Sequence, residues 1–507
     1  MSTHPSSKAR PDAVHAAVLR GAEMLALDER TITELGVSSP VLMERASLGV
    51  THALVERWPD VEAVAVLCGP GNNGADGVVI ARQLCQAGLD VTLLYSHAHL
   101  NIAAQEQLAI ARQLPLTLCD LDTDTPRISA ALRSADVWVD ALLGVGSTGP
   151  PRGIVAKALQ LAHNNRSSRT RVIAVDIPSG VETNTGVTHP DALAADTTVT
   201  FEHRKPCHLL APGSELCGSL VVHTIGLLPA PKCSPRWTTE PVVRERWRPL
   251  GTAAHKGTRG HLLVIAGAPG TYGAALLCAS AALRSGAGLV TIACPSPPPA
   301  LVAVRPELMW RERSTVLAEL TRFEAIVLGP GAGTSEDAAF CFDQWYATEG
   351  RPPSVLDADA LTWLSNTTRE LSDADVLTPH PGELARLLGQ TTQSVLADLP
   401  AAAASVYQTT GATVVAKTAG AWIHGKQTYC VGAGHSGMGT AGSGDVLAGI
   451  IGAMLLRHPA LDAALLGTWI HARAGAHAGA RSGSESLIAS DLIDALPQAF
   501  RTLTEAR

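Results

Sequence analysis

VEAVAVLCGPGNNGADGVVIARQLCQAGLDVTLLY, residues 61–95, decides the fold of this chain. It opens on a β-branched apolar run, passes through a turn carrying Gly69, Gly71, Gly74 and Gly77, continues in helix formers and closes on a second apolar run. Strand, glycine turn, helix, strand is a βαβ unit, and such units build a parallel sheet covered on both faces. Working outward, ADVWVDALLG (135–144) and RVIAVDIPSG (171–180) continue the alternation up to Val222. Val14 to Leu35 and Pro40 to Trp58 carry apolar residues at helical spacing. The first half is expected to be a three-layer αβα sandwich with N-terminal helices.

From Leu228 to Pro249 the sequence turns proline-rich and loses its period, which reads as a linker and docking segment. The division is placed there, with domains at 1–232 and 233–507. The alternation restarts in HLLVIAGAPG (261–270), GLVTIACP (288–295), EAIVLGPGAG (324–333), PSVLDADAL (353–361), DVLTPHPGE (375–383) and ATVVAKTAGAWIHG (412–425). Helices are expected around Ala274 to Arg284, Gly444 to Leu456 and Leu461 to Ala480. The fold class is α/β, with two three-layer αβα domains and no fixed-period repeat.

The 507 residues are enough for two to four compact domains, at about 150 residues each. A formal charge of −7, with neither sign in blocks, argues against a nucleic-acid groove or a polybasic membrane patch. The longest apolar stretch, Val446 to Leu456, is too short to span a bilayer, and the N-terminus lacks the apolar core of a secretory signal. No membrane partner is expected, and the location is expected to be cytoplasmic. Ten cysteines without a CxxC pair read as buried thiols rather than a disulfide frame or zinc site.

The turn from Cys68 to Gly77 stands where backbone amides and a helix N-terminus can hold phosphate. A plain Asn-Gly turn would use similar residues. Asp140, Asp176 and Ser179 close two later strands, and the carboxyl ends of parallel strands converge on one crevice. Asn73, Asp140 and Ser179 all present oxygens, which suits a hard cation, leaving Asp176 free to act on substrate. Taken together, the GPGNNGxDG loop and the VDALLG and VDIPSG strands resemble the NAD(P)H-hydrate epimerase family over about residues 15 to 228. The resemblance implies a Rossmann-like domain in which Asn72, Asn73, Gly74, Ala75 and Asp76 hold the damaged dinucleotide. Gly144, Val145, Gly146, Ser147, Thr148, Gly149 and Pro150 do the same. It implies potassium on Asn73, Asp140 and Ser179, and Asp176 as acid or base at the hydrated nicotinamide. Lys205 matches a lysine usual in that family, whereas Ala75 replaces a usual glycine.

In the second half, MGTAGSGDVL (438–447) opens a helix with three glycines and an aspartate. Such a helix start neutralises phosphate, and Asp445 is placed to take a proton from an attacking hydroxyl. A capped helix with an acid in its first turn is the plainer alternative. HKGTRG (255–260), GPGAG (329–333) and TPHPGE (378–383) are expected at the same crevice, with His380 facing the surface. With VLDADAL and AKTAGA, this set is similar to the ADP-dependent NAD(P)H-hydrate dehydratase family, a ribokinase-like fold, over about residues 240 to 504. The resemblance implies that Ala274, Gly331 and His380 contact the hydrate. It implies that Lys417, Thr418, Ala419, Gly420, Ala421 and Gly444 contact the adenine nucleotide, with Asp445 catalytic. Gly439, Ala441, Ser443 and Tyr272 depart from the residues usual there.

Both halves on one chain resemble the bifunctional NAD(P)H-hydrate repair family. That implies epimerisation of R and S hydrates and ADP-dependent dehydration of the S hydrate, yielding AMP and phosphate. The implied substrates are hydrated NADH and NADPH with ADP as co-substrate; the implied ions are K⁺ at the epimerase site and Mg²⁺. A homo-oligomer is expected. The alternative is a ribokinase-type small-molecule kinase with a non-catalytic N-terminal binding domain. A Rossmann dehydrogenase is disfavoured, because no GxGxxG is followed about 20 residues later by a ribose-binding acid.

Overall fold

The computed structural model describes residues 16–97, 100–147, 149–297, 305–367 and 369–504. The chain divides into two compact units, Met1–Ser234 and Pro235–Arg507.

In the first unit seven strands form one parallel sheet: β1 (Ala63–Cys68), β2 (Asp90–Tyr95), β3 (Thr117–Asp120), β4 (Val137–Ala141), β5 (Arg171–Val175), β6 (Thr197–Phe201) and β7 (Ser219–His223). Their order is β3-β2-β1-β4-β5-β6-β7. The order reverses between β1 and β4, and at that switch the carboxyl ends leave a crevice. Alternation along β1 builds two cores. Val64, Val66 and Cys68 pack with Val50 and Leu54 of helix Ser39–Arg57 and Val78 of helix Asn72–Gln86. Ala65 and Leu67 pack with Leu132 of helix Thr125–Ser134 and Leu159 of helix Gly153–Asn165. The sandwich therefore has three layers. Among the described residues the first helix begins at Gly21, whereas the expected helix runs from Val14, which lies outside the described residues. Val18 instead bridges Arg204, and Leu19 donates its N–H to the Arg204 carbonyl at 2.9 Å, so this stretch is extended.

The second unit holds a ten-stranded sheet: β8 (Arg236–Trp237), β9 (His261–Ile265), β10 (Leu289–Cys294), β11 (Met309–Glu312), β12 (Ala325–Leu328), β13 (Ser354–Leu356), β14 (Val376–Leu377), β15 (Thr413–Lys417), β16 (Ala421–His424) and β17 (Tyr429–Val431). The order is β11-β10-β9-β12-β13-β14-β15-β16-β17-β8. β16 runs antiparallel to both β15 and β17, and β8 joins β17 in parallel. Helices Tyr272–Arg284, Ser443–Leu455, Ala460–Ser486 and Ala489–Thr504 cover one face through Ala279, Ile450, Leu466 and Leu496.

The stretch from Leu228 to Pro249 is not linker throughout. It contains β8 and a helix, Glu240–Arg246, which buries Val242 and Val243 in the core of the second unit. Its prolines sit where they do little harm, Pro241 near the helix start and Pro235 just ahead of β8. All ten cysteines are unpaired. Among the described residues no helix is long and apolar enough to cross a membrane.

Candidate active sites

In the first unit the turn after β1 enters helix Asn72–Gln86, and its glycines are set by close backbone approach. A Cβ at Gly69 would stand 1.8 Å from the Leu142 carbonyl oxygen, and one at Gly74 1.8 Å from that of Gly69. The turn is thus pressed against the end of β4, which is where Asp140 lies. Asp140 is fully buried. Its carboxylate accepts the Ser179 N–H at 2.7 Å and the Ser179 hydroxyl at 2.6 Å. The Ser179 hydroxyl oxygen accepts the Leu143 N–H at 3.0 Å, and Asn73 Nδ2 donates to the Leu143 carbonyl at 2.8 Å. Asn73, Asp140 and Ser179 are therefore gathered round one backbone segment. Burial raises the Asp140 carboxyl to about 6, against the hydrogen bonds from Ser179.

Asp176 follows β5 with a left-handed backbone, φ 68°, unusual for a residue other than glycine. Its Oδ1 accepts the Lys205 ammonium at 2.6 Å and the Thr200 hydroxyl at 2.9 Å. Lys205 also donates to Thr200 Oγ1 at 2.8 Å and to the Phe201 carbonyl at 3.2 Å. Burial alone would raise the Asp176 carboxyl, but the Lys205 charge and hydrogen bond, with help from Thr200, hold it below the usual carboxylate range. His208 Nδ1 accepts the Lys205 N–H at 3.1 Å, so Nε2 carries the proton and donates to the Asp176 carbonyl at 2.9 Å. Burial and Lys205 bring His208 down to about 3, keeping it neutral. Asp76, in helix Asn72–Gln86, is raised by burial and by the charges of Asp176 and Asp28. Ala75 is fully buried.

The segment after β4 lines a cavity of about 510 Å³ through Leu143, Ser147, Gly149, Pro150 and Arg152. Gly144 lies against Asn73, whose Oδ1 would be 3.1 Å from a Cβ there. Thr148 falls outside the described residues.

In the second unit Asp357, just past β13, accepts the Lys417 ammonium at 2.8 Å and the Thr378 hydroxyl at 2.8 Å. Lys417 ends β15. A Cβ at Gly444 would stand 3.4 Å from its Nζ, so the ammonium lies at the start of helix Ser443–Leu455. Asp445 sits one residue on. Burial raises its carboxyl to about 7, with Asp357 and Asp359 pushing further up and Lys417 pulling down. Thr271 donates to the Gly331 carbonyl at 2.7 Å, and a Cβ at Gly331 would meet Ala274 Cβ at 3.0 Å. Ala274 and Gly331 are thus neighbours. The GPGAG turn is joined to VLDADAL where Asp359 accepts the Gly333 N–H at 2.8 Å.

His380 faces solvent and caps helix Pro381–Leu388, with Nδ1 accepting the Gly382 N–H and Glu383 accepting its own N–H at 2.8 Å. Thr418, Ala419 and Gly420 form the turn between β15 and Ala421, the first residue of β16. HKGTRG departs from expectation. It precedes β9, so it lies at the amino ends of the strands, where Gly260 receives the Gly288 and Leu289 N–H groups. The crevice is at the other end.

Sequence reasoning quoted Asp357 and Glu383 only within VLDADAL and TPHPGE and gave neither a role, although an acid directly after β13 repeats the signal that marked Asp176. It also left out Thr200, His208 and Asp28.

Residues 39–207 match the family described as YjeF-related protein N-terminus, and residues 262–498 match NAD(P)H-hydrate dehydratase. The chain is 34% identical to the bifunctional NAD(P)H-hydrate repair enzyme Nnr of Moorella thermoacetica, over 96% of this chain and 97% of that one. It is 35% identical to the enzyme of the same description from Coxiella burnetii, over 92% and 95%. An ADP/ATP-dependent NAD(P)H-hydrate dehydratase from Bacillus subtilis, co-crystallised with ATP/Mg²⁺, superimposes with a TM-score of 0.47 at 26% identity. That match covers 52% of this chain and 97% of that one.

Proposed function

The chain belongs to the family of bifunctional NAD(P)H-hydrate repair enzymes, and on that premise we propose that residues 1–232 carry the epimerase and 233–507 the dehydratase. The observation that carries this division is that each unit has its own carboxylate–lysine centre at the carboxyl ends of its own sheet: Asp176 with Lys205, and Asp357 with Lys417 beside Asp445.

Water added at C6 of the reduced nicotinamide gives R and S hydrates that cannot deliver hydride. In the second unit Asp445 takes the C6 hydroxyl proton as that oxygen attacks the terminal phosphorus of ADP, and AMP leaves. A carboxyl near 7 suits a general base at neutral pH. Lys417 and the helix start offset phosphate charge. Phosphate then departs from C6 far more readily than hydroxide, C5 loses a proton, and the dihydropyridine returns. Mg²⁺ would arrive with the nucleotide phosphates, because no cluster of three His, Cys, Asp or Glu side chains able to hold a metal occurs among the described residues.

In the first unit Asp176 moves a proton at the substrate, on the oxygen borne by C6. The oxygens of Asn73, Asp140 and Ser179 fit potassium. Asp140 is a fully buried carboxylate with no cationic side chain bonded to it among the described residues, and one formal negative charge suits a monovalent ion. Bound there, potassium would offset that charge and steady the turn.

The test is to give the purified chain a mixture of R and S hydrates with ADP or ATP and follow absorbance of the restored dihydronicotinamide. Complete conversion of both epimers is expected. A stable phosphate ester as end product would refute dehydration, and conversion that stops at the S fraction would refute epimerisation.

A further inference from the structure

Inverting C6 needs proton transfer on both faces of the ring, one to the departing hydroxyl and one from the incoming water. Asp176, pinned by Lys205, supplies a carboxylate and leaves the acid unassigned. Helix Gly21–Leu35 brings a second carboxyl. It turns Gly21, Met24, Leu27 and Thr31 inward, and Asp28 adjoins that stripe with its Oδ1 buried and without a hydrogen-bond partner. The helix is anchored round the same site. Leu19, just ahead of it, bonds Arg204, the residue before Lys205. Gly21 donates to Asn184 Oδ1 at 2.9 Å and lies so close to the Val145 carbonyl that a Cβ would stand 2.7 Å away. Thr31 accepts the Leu228 N–H at 3.0 Å. The charges that act on Asp28 are those of Lys205, Asp176 and Glu202, and Asp28 with Asp176 acts in turn on Asp76.

Resting on the epimerase reading above, we propose that Asp28 is the second proton-handling carboxyl of that site, the acid whose counterpart is the Asp176 carboxylate. Protonated Asp28 gives its proton to the C6 hydroxyl oxygen. The C6–O bond breaks with its electron pair on that oxygen, water leaves, and the N1 lone pair forms the C6–N1 iminium. Water adds to the opposite face, Asp176 takes the proton released, and the pair returns to N1. A weak base suffices there, because water bonded to a cationic carbon is strongly acidic. The reverse direction, or exchange with solvent, resets both carboxyls. Burial lifts Asp28 to about 6, with Lys205 lowering it and Asp176 and Glu202 raising it, so a fraction is protonated near neutrality.

The experiment measures R-to-S interconversion in the full chain without nucleotide between pH 5 and 9, for the parent, Asp28→Asn, Asp28→Glu and Asp76→Asn. The parent rate is expected to fall as pH rises through about 6, where Asp28 loses its proton. Asp28→Asn is expected to lose on the order of 10²- to 10⁴-fold and the falling limb with it. Asp28→Glu keeps a displaced limb, and Asp76→Asn, whose rate falls with its place at the dinucleotide, keeps the limb at the parental pH. Hydrogen-exchange protection of β5 and β6 checks that each variant is folded. A folded Asp28→Asn that retains the limb overturns the proposal, whether its rate is parental or reduced, as does loss of the limb in Asp76→Asn alone. A parent that does not interconvert the hydrates refutes the epimerase reading itself.

Discussion

Replacing Lys205 by Met isolates the Asp176 centre, because it keeps the unbranched apolar stem to within one heavy atom and removes the charge and its donors. The pair is nearly dry, Lys205 being 1% and Asp176 5% exposed. At 2.6 Å and an effective dielectric of about 20 the two charges attract by roughly 6 kcal/mol, and desolvation of both ions consumes much of that. Removing one partner strands the other, which costs about 3–5 kcal/mol. The sign of the pH dependence then reverses. In the parent the folded Asp176 lies below its unfolded value, so its stabilisation is present at neutral pH and lost only as pH falls below about 4. In Lys205→Met burial acts unopposed by an ammonium and lifts the carboxyl, so the variant is weakest at neutral pH and regains stability as acid protonates Asp176. Native-state hydrogen exchange on the amides of β5 and β6 reads the first unit separately from the second. The expected acceleration is on the order of 10²- to 10³-fold at neutral pH, shrinking toward pH 5, with epimerisation lost and ADP-dependent dehydration kept. An unchanged exchange rate, or acceleration that grows toward acid, refutes the reasoning.

Dehydration is expected to rise with pH through about 7 as Asp445 deprotonates, and Asp445→Asn should lose on the order of 10²- to 10⁴-fold while still epimerising; steady-state rates with S hydrate and ADP check both. Epimerisation should be faster in potassium than in lithium at fixed ionic strength, and Asp140→Asn should flatten that difference without touching dehydration, as a salt titration of both activities would show. Ala75→Gly restores the residue usual in the family but empties a fully buried position in a helix. It should cost about 1–2 kcal/mol by denaturation of the first unit without raising the epimerisation rate.

Strands with strong alternation or dense β-branching were legible at once: DVTLLY is β2 residue for residue, and RVIAVDIPSG yields β5 followed by Asp176. The acids at these strand ends stood out because a carboxylate closing an apolar run has no packing reason to be there. Other features follow from tertiary pairing, which no local period records. β8 is two residues long and exists only because β17 offers a free edge. The Val18 bridge overrides helix-forming residues, because the Arg204 backbone needs a partner. HKGTRG misled because a glycine-rich motif shows no sign of which end of a strand it attends. Asp28 was invisible for a different reason. On an amphipathic helix an acid beside the apolar stripe reads as rim, and only the tertiary fold turns that rim toward Lys205.

The smallest strand carries a practical lesson for anyone wishing to study the dehydratase in isolation. The family match begins at residue 262, and a fragment cut there would discard Arg236 and Trp237 together with the two valines of the following helix. That leaves the outer rim of β17 as a raw row of amides and carbonyls beside an uncovered apolar patch, the combination that nucleates strand-on-strand association between molecules. A fragment that starts ahead of Pro235 carries its own selvedge and keeps that rim closed.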